Sequence, residues 1–443
     1  MWIDPFSKTF WILLSNRVHP NGKGNVLPLQ LAVGTFAAMA VDGFDYTDVR
    51  GALSIRPTSS SAGSNHIRSA EVLNGIDVLV KKNFVPLKKM RIGLITNQTG
   101  IDRQRRATVD ILKQAADLQL KALFSPEHGI RGQLDEKVSD TTDEKTGLPV
   151  YSLYGARRAP TAEQLKDLDA LVYDIQDIGC RFYTYISTLG LCLEAAAKAK
   201  VKFFVLDRVN PIGGVAVEGP VYKGEPSFTA FHSIPLRHGM TVGELARMYN
   251  ADRGWHADLT VIPVEGWRRD MWFDQTGLPW INPSPNMRSL NAATFYPGVG
   301  LNETALSVGR GTGTPFEVLG APYADDGQLA RELNRAALPG IRFVPLRFTP
   351  AASTFKDKEC GGVSMLIADR QRLNSVDLGI TISRVFQQLY PEQYALAKIE
   401  TLLQNKAAIE AIKRGDSLIA IKQSWAADLA AFKKRREAFL LYK

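Results

Sequence analysis

Short, largely apolar runs alternate with helical patterns between residues 70 and 206, and this alternation limits the fold more than any other feature. The strand-like runs are Arg91–Thr96, Leu120–Phe124, Ala170–Ile175 and Val201–Leu206. The helical patterns that flank or separate them are Ala70–Lys81, Ala107–Ala116 and Phe182–Lys200. A strand that is apolar on both sides must be covered on both faces, as in a parallel sheet between helices. The sequence therefore predicts an α/β fold with a Rossmann-like parallel-sheet N-terminal domain.

The chain is 443 residues long, which is too long for one ordinary hydrophobic core. Its last third mixes strand-like runs, such as Arg342–Phe348 and Gly362–Ile367, with helical ones, such as Leu378–Leu389. We therefore expect a smaller α+β C-terminal domain. The predicted organisation is a foreign N-terminal segment, a Ser/Gly-rich linker, the Rossmann-like catalytic domain and the C-terminal domain, at residues 1–56, 57–69, 70–293 and 294–443.

The N-terminal segment differs in character from the rest of the chain. Its WIDP string, the run Thr9–Ser15 and the string NRVHP resemble the last strand and tail of a β-lactamase-like serine hydrolase over residues 1–45. The nucleophile of that fold would lie upstream. This chain therefore lacks the nucleophile that an esterase would need. We expect this chain to be the downstream part of a longer fusion. We expect no signal peptide, because no basic region leads into an apolar one.

Composition argues against several classes of function. The formal net charge of +9 would suit an anionic partner such as a cell-wall polymer, but the basic residues are spread along the chain and do not predict nucleic-acid binding. The cysteines Cys180, Cys192 and Cys360 form no CxxC pair, and the histidines have no paired-ligand spacing, so we expect no metal. The Gly-rich loop Ser307–Phe316 lacks the dinucleotide spacing, and we expect no cofactor. The apolar stretch Val26–Val41 is short for a membrane span.

Polar side chains follow each predicted strand. Asn97 follows the first, the segment SPEHGIRG follows the second, and the other two end in further polar residues. The carboxyl ends of parallel strands open on one side of a sheet, so we expect these loops to meet at one crevice. Some of the Asp and Asn side chains could instead cap the helices that follow. The candidates from these loops are Asn97, Glu127, His128, Arg131, Asp174, Asp177, Asp207, Arg208 and Asn210.

Further candidates lie beyond the strand ends. Arg181 stands at the start of a long helix, where amide groups and a guanidinium attract anions, and Tyr183 follows it. A tyrosine in this position on an amphipathic helix is more often buried than directed at a ligand. His238 precedes a capping box at Thr241–Glu244 and is either catalytic or bonded to its own turn. The remaining candidates are Glu218, Asn286, Glu303 and Arg310.

Taken together, a series of motifs in one order resembles the NamZ-type exo-β-N-acetylmuramidases of bacterial cell-wall recycling. The resemblance runs from about residue 70 to the C-terminus. The motifs are SPEHGIRGQ, DEKTGLPVYSLYG, LVYDIQDIGCRFYTYISTL, VLDRVNPIGG, VEGP, RHGMTVGELA, NPSPNM, YPG and GRGTGTPFEVLGAP. The resemblance implies a cleft between two domains and release of N-acetylmuramic acid from the non-reducing end of muropeptides or disaccharides derived from peptidoglycan. It also implies a periplasmic or secreted enzyme.

Glycoside hydrolysis usually requires two carboxyl groups beside the scissile oxygen. Glu127 is our candidate for the general acid or base, tuned by His128. The second group is left open by the sequence, and the substrate's own acetamido group could take its place. Candidates for that second group are Asp177, Asp207, Glu218 and Glu303. The lactyl carboxylate of the sugar would be recognised by Arg181 or Arg310. The rival interpretation is a module that binds peptidoglycan without cleaving it.

Overall fold

The computed structural model describes residues 71–127, 129–130, 140–155 and 157–443, together with the backbone of two short strands near the N-terminus. It divides into two compact units, Met1–His66 and Ile67–Lys443. In the first unit, β1 (Trp2–Asp4) and β2 (Thr9–Trp11) pair in an antiparallel manner. The other predictions for residues 1–70, including the linker, lie outside the described residues.

The second unit contains the α/β architecture. Its strands are β3 (Arg91–Thr96), β4 (Gln119–Ser125), β5 (Thr141–Thr142), β6 (Pro149–Ser152), β7 (Ala170–Asp174), β8 (Lys202–Leu206), β9 (Glu218–Val221), β10 (Pro235–Arg237), β11 (Leu259–Ile262), β12 (Val318–Ala321), β13 (Ile341–Phe348) and β14 (Cys360–Ile367). Its α-helices are α1 (Gly75–Lys81), α2 (Thr108–Gln114), α3 (Ala162–Leu165), α4 (Tyr185–Ala199), α5 (Val242–Asp252), α6 (Leu290–Val299), α7 (Asp326–Arg335), α8 (Ser375–Leu389), α9 (Glu400–Leu403), α10 (Lys406–Lys413), α11 (Leu418–Gln423) and α12 (Ala426–Arg436).

Among the described residues, seven strands form one sheet in the order β11-β8-β7-β3-β4-β6-β5. All neighbours in it are parallel except β5, which is antiparallel to β6. The predicted parallel sheet is thus confirmed, and β6 and β11 extend it beyond the four predicted strands. Along the chain, the strands first progress from β3 to β4 and β6, and then continue from β7 on the other side of β3. The strand order therefore reverses between β3 and β7, which is the position where open α/β sheets form a ligand crevice.

Both faces of this sheet are buried because side chains alternate between them along each strand. One face packs under α1 and α2 through Ile92, Leu94, Val172 and Phe204. The other face packs under α4 and α5 through Ile95, Leu171, Tyr173 and Phe203. Helix α5 begins with the predicted capping box, in which the Thr241 side chain accepts from the Glu244 N–H and Glu244 returns the contact. Within the described part of the chain, no helix is both long and apolar enough to cross a membrane.

The C-terminal half contains the antiparallel sheet β12-β14-β13, as expected for a smaller α+β domain. Helices α6 and α8 cross with their backbones almost touching, because a Cβ atom at Gly298 would lie 1.7 Å from the Ser375 carbonyl oxygen. The facing Gly379 is equally crowded, with the Gly298 carbonyl oxygen 2.3 Å from its would-be Cβ. One hydrophobic cluster continues from the parallel sheet into this half. The two halves therefore share a core.

The last residues of the chain return to the parallel sheet. The Tyr442 hydroxyl donates to Asp207 Oδ2 at 2.5 Å and accepts from the Val264 N–H at 2.9 Å. The Leu441 N–H donates to Glu244 Oε1 at 2.8 Å. Asp207 and Glu244 are fully buried, so water cannot hydrogen-bond to their carboxylates. The bonds from the tail supply the donors that water would otherwise provide. The C-terminal tail is therefore part of the support for β8 and α5.

We predict that Tyr442→Phe lowers the free energy of unfolding by about 1–3 kcal/mol, because it removes both bonds of a hydroxyl that faces a buried carboxylate. Tyr222→Phe is the matched control, since the Tyr222 hydroxyl donates to the Glu225 carbonyl at an exposed site and its loss should change stability by less than about 0.5 kcal/mol. Urea unfolding measures both. Equal effects of the two substitutions would show that the tail does not support the sheet.

Candidate active site

The crevice at the strand-order reversal lies between the loops that follow β3 and β7. Asn97 Oδ1 accepts hydrogen bonds from the Thr99 N–H at 2.9 Å and from its hydroxyl at 2.6 Å. The Thr99 hydroxyl oxygen in turn accepts from the Gln176 N–H at 2.9 Å, which ties the two loops together. A third loop joins them, because Gln98 Nε2 donates to the Pro283 carbonyl at 3.2 Å. Three separate segments therefore meet at the edge where such sheets bind ligands.

Glu127 stands just after β4 and is half-buried at this edge. Burial raises the pKa of Tyr185, and the Glu127 carboxylate adds to that rise. Burial also raises the pKa of Tyr296 well above its usual range, with additional contributions from Glu303 and from Glu127. A carboxylate influences a phenol in this way only when the two are near each other. Glu127 and Glu303, which come from different halves of the chain, therefore both lie within electrostatic range of Tyr296.

Aromatic rings connect the two carboxylates. The Tyr183 ring meets Tyr185 and Tyr296 edge-on, at centroid distances of 5.1 Å and 5.7 Å. Tyr296 in turn meets Phe316 edge-on at 4.8 Å, and the Arg310 guanidinium carbon lies 5.0 Å from the Phe316 centroid. Edge-to-face contacts of this kind hold each ring in a defined orientation. We call the four rings of Tyr183, Tyr185, Tyr296 and Phe316 the aromatic wall.

Glu303 and Arg310 form an ion pair at the end of the aromatic wall. Arg310 Nη2 donates to Glu303 Oε2 at 2.6 Å, and the two side chains are 27% and 20% exposed. The charge-assisted bond orients the carboxylate while leaving both groups reachable from solvent. Glu303, the acidic candidate predicted from the C-terminal half, is thus placed where a ligand could reach it.

Asp177 and His238 form a buried contact behind this surface. Asp177 Oδ2 accepts from the Gly179 N–H at 2.7 Å, and His238 Nε2 lies 3.2 Å from the same oxygen. His238 Nδ1 accepts from the Met240 N–H at 3.1 Å, so we assign the ring proton to Nε2, which lies close to Asp177 but outside hydrogen-bond geometry. The His238 ring is fully buried. The contact with Asp177 joins the loop after β7 to the turn that precedes α5. The bond from Met240 shows that His238 is bonded to its own turn, which is one of the two roles predicted for it.

Asp207 is held entirely by protein donors. Its oxygens accept from the Gly243 N–H and the Thr241 hydroxyl, each at 2.7 Å, and from the Arg208 N–H at 2.9 Å, in addition to Tyr442. Burial raises the pKa of Asp207 to about 7, and the donors from Tyr442, Gly243 and Thr241 oppose that rise. Asp207 therefore caps α5 and anchors the C-terminal tail. Helix capping was the alternative role predicted for the Asp and Asn side chains at strand ends. The Asp207 side chain is fully buried and does not line the crevice.

Arg208 and Asn210 also have structural partners. Arg208 Nε donates to the fully buried Asp174 at 2.6 Å, and Nη2 donates to the Ile101 carbonyl at 2.9 Å. Asn210 Nδ2 donates to the Met240 carbonyl at 3.0 Å. These bonds join neighbouring loops at the sheet edge, which is why polar residues are needed there. Asp174 and Asn210 are thus engaged in buried contacts, whereas Arg208 also lines a small cavity together with Thr99 and Gln176.

Glu218 and Arg181 hold the C-terminal half in place. Glu218 Oε1 accepts from Arg237 at 2.6 Å, and Oε2 accepts from the Val376 N–H at the start of α8 at 3.2 Å. Arg181 Nη2 donates to the Leu402 carbonyl at 2.6 Å, and the Arg181 side chain is buried. The same guanidinium also donates to the Pro220 and Leu403 carbonyls. Burial lowers the pKa of Arg181 to about 10. A guanidinium committed to these carbonyls is not available to a substrate carboxylate.

The predicted candidates therefore separate into two groups. Those gathered around the crevice are Asn97, Glu127, Tyr183, Glu303 and Arg310, with Asn286 half-buried in the loop that contributes Pro283. Those engaged in buried structural contacts are Asp174, Asp177, Arg181, Asp207, Arg208, Asn210, Glu218 and His238. His128 and Arg131 lie outside the described residues. Within the described residues, no group of three or more His, Cys, Asp or Glu side chains is arranged to hold a metal ion.

The crevice also contains residues that were not among the predicted candidates. They are Gln98, Tyr185, Pro283 and Tyr296. Tyr185 follows Tyr183 by two residues at the start of α4, and its hydroxyl donates to the Pro283 carbonyl at 2.6 Å. The proline-braced loop around Pro283 was visible in the sequence, but its contact with the end of β3 spans about 185 residues of chain and has no local signal.

Comparisons with known proteins agree on one family. Two adjoining family models match the chain, "Exo-beta-N-acetylmuramidase NamZ, N-terminal" over residues 92–291 and the corresponding C-terminal model over residues 294–442. The chain is 41% identical over 399 residues to the peptidoglycan beta-N-acetylmuramidase NamZ of Bacillus subtilis (strain 168), covering 88% of this chain and 96% of that protein. No comparison supports the resemblance of residues 1–45 to a serine hydrolase.

Solved structures give the same picture of the fold. A DUF1343 family protein from Bacteroides fragilis NCTC 9343 matches with a TM-score of 0.79 and 38% identity, over 84% of this chain and 100% of that one. A second DUF1343 family protein from the same organism matches with a TM-score of 0.69 and 32% identity, over 84% of this chain and 99% of that one. The two-domain α/β architecture is thus shared with crystal structures over nearly their full lengths.

We predict that Arg181→Ala lowers the free energy of unfolding by about 2–4 kcal/mol, because it leaves buried carbonyl oxygens without donors. Arg335→Ala is the matched control, since this exposed arginine pairs with Glu332 on the surface of α7 and its loss should cost less than about 0.5 kcal/mol. Chemical denaturation compares the two. A stable Arg181→Ala protein would show that the guanidinium is not a structural support.

Proposed function

Because this chain belongs to the NamZ family of exo-β-N-acetylmuramidases, we propose that it is an exo-acting glycoside hydrolase that releases N-acetylmuramic acid from the non-reducing end of peptidoglycan fragments. Its substrates would be muropeptides or disaccharides derived from peptidoglycan. Such fragments arise where the wall is degraded, so the same proposal places the enzyme in the periplasm or outside the cell. Two family models cover residues 92–291 and 294–442, so the membership extends through both halves of the crevice.

One observation supports the catalytic assignment above all others. Of the five acidic side chains proposed from the sequence for this chemistry, Asp177, Asp207 and Glu218 are buried in protein contacts. Glu127 and Glu303 remain partly accessible, and both lie within electrostatic range of Tyr296. A glycosidase needs two carboxyl groups that a sugar can reach, and the accessibility of these two supports their assignment.

We assign the general acid to Glu127. It follows the carboxyl end of β4, so a rigid strand positions it at the edge where the ligand enters. In this role its carboxylic acid protonates the oxygen of the scissile bond as the bond to the anomeric carbon breaks. The adjacent His128 remains our candidate for the residue that tunes this proton transfer.

We assign the second carboxylate to Glu303. The ion pair with Arg310 fixes the direction of its oxygens, and the aromatic wall separates it from Glu127. A negative charge in that position stabilises the positive charge that develops on the sugar ring in the transition state. In this assignment each half of the chain supplies one carboxylate.

Arg310 is our candidate for recognising the lactyl carboxylate that distinguishes N-acetylmuramic acid from N-acetylglucosamine. Its side chain is 27% exposed, whereas Arg181, the other candidate, is buried. A guanidinium is planar and always charged, which suits Arg310 to recognition of a carboxylate. The packing of its planar group against Phe316 limits its motion.

We predict that Glu127→Gln reduces kcat on a chromogenic N-acetylmuramide by about 10²- to 10⁴-fold, because glutamine cannot transfer a proton. Glu303→Gln should also reduce kcat, while Glu410→Gln, which changes an exposed carboxylate on α10, should leave it unchanged. Thermal melting checks that all variants fold. Near-normal turnover of Glu127→Gln would refute its assignment, and binding of fragments without release of the sugar would favour a peptidoglycan-binding module.

We predict that Arg310→Ala lowers the ratio of kcat/KM for a muramide to that for the matching glucosaminide by about 10- to 100-fold, because it removes a charged hydrogen bond to the lactyl group. Arg347→Ala, in an exposed ion pair on β13, is the control and should leave the ratio unchanged. If both substrates lose activity equally, Arg310 only supports Glu303 and does not read the lactyl group.

A further inference from the structure

Two adjoining surface cavities lie in the C-terminal half, between helix α7, strand β13 and the segment that precedes α8. Their volumes are about 460 Å³ and about 480 Å³. Asn334 and Phe343 line both of them, so the two cavities form one continuous groove, which we call the arginine groove. Each volume falls in the range of about 300–1,000 Å³ that is typical of ligand sites.

Four arginines line the arginine groove, and no carboxylate of the described residues lines it. Arg342 and Arg372 line the first cavity, and Arg331 and Arg335 line the second. Arg335 Nη1 pairs with Glu332 at 2.7 Å. The other three arginines are exposed and form no ion pair within the part of the chain that the structure describes. The groove therefore presents positive charge that attracts anions.

Acidic residues in the neighbouring segments have other partners. Asp326, at the start of α7, lies 3.6 Å from Arg347 Nη2. Asp369 Oδ1 accepts from the Gln371 N–H at 3.0 Å. The charge of the arginine groove is thus left for a ligand rather than consumed within the fold.

The backbone edge of β13 beside the groove is closed to strand pairing. Asn334 Nδ2 donates to the Phe343 carbonyl at 2.8 Å, and Asn334 Oδ1 accepts from the Phe343 N–H at 3.1 Å. Two residues further along the strand, Pro345 has no N–H to donate. A second copy of the chain therefore cannot extend the sheet at this edge. An occupant of the groove must be held by side chains, and the charged ones that line it are arginines.

We propose that the arginine groove binds the peptidoglycan polymer through the carboxylates of its peptide side chains, and so holds the enzyme on the polymer while the crevice acts on chain ends. A guanidinium pairs with a carboxylate through two parallel hydrogen bonds, which suits arginine to this ligand. Carboxylates recur along the polymer, and the groove carries arginines in both of its cavities. The inference rests on the proposed function for the identity of the polymer and adds to it a binding site made of residues outside the crevice.

The test measures sedimentation of the purified protein with insoluble peptidoglycan sacculi and, in parallel, turnover of a chromogenic N-acetylmuramide. The variant Arg331→Gln/Arg342→Gln/Arg372→Gln should bind sacculi about 10-fold more weakly, because three ion pairs are lost, and should keep the wild-type kcat/KM on the small substrate. Sacculi whose carboxyl groups have been converted to amides should bind the wild-type protein equally weakly. Should the triple variant fail to fold, Arg331→Gln/Arg372→Gln retains Arg342, which bonds to the Ile341 carbonyl, and should weaken binding about 3-fold.

The variant Lys166→Gln/Arg268→Gln/Arg414→Gln is the control. It removes the same number of positive charges from exposed ion pairs elsewhere on the surface and should bind sacculi like the wild type. Equal loss in this control would overturn the inference, because net charge alone would then account for binding. Absence of wild-type binding, full binding by the groove variants, or full binding to the amidated sacculi would also overturn it.

Turnover of the small substrate keeps this inference distinct from the proposed function. A folded groove variant that loses turnover would overturn the inference, because its arginines would then serve the crevice. If the wild type binds sacculi through the groove and releases no N-acetylmuramic acid, only the proposed function fails. If it releases the sugar and binds sacculi independently of the three arginines, only the groove assignment fails.

Discussion

The parallel pairing of β3 with β7 is the constraint on which the rest of the molecule depends. The strand order reverses at this pair, so consecutive connections leave the sheet in opposite directions and a gap opens between their loops. The loop after β3 provides Asn97, and the neighbouring β4 ends at Glu127. The gap exists only because the sheet is covered on both faces, which requires the apolar strands that the chain supplies.

Most of the charged groups at the sheet edge stabilise the fold rather than act on a substrate. A charge inside a protein needs partners, and here those partners are loops and helix ends that would otherwise separate from one another. Asp207 ties α5 to the C-terminal tail, and Arg181 ties the start of α4 to carbonyls of the C-terminal half.

The two halves contribute jointly to the site because they share one hydrophobic core. Helices α6 and α8 pack at a distance that only glycine permits, at Gly298 and Gly379. Tyr296 lies on α6 just before that contact, and it meets Tyr183 from the N-terminal half and Phe316 from the C-terminal half. The relative position of Glu127 and Glu303 is therefore set by packed rings and backbone contact, which allow little adjustment.

The sequence alone determined the α/β class, the central strands and the capping box of α5, because these depend on local periodicity and on residues three or four positions apart. It also made Glu127 a candidate, since a charged residue after an apolar strand is a local signal. Only the tertiary structure decided which of the many polar residues are buried in structural contacts and which remain accessible. Asp207 and Glu127 look alike in sequence, as charged residues at strand ends, yet one is buried under the tail and the other is half-exposed. That difference arises from contacts between residues more than a hundred positions apart, such as Asp207 with Tyr442, and no local pattern records them.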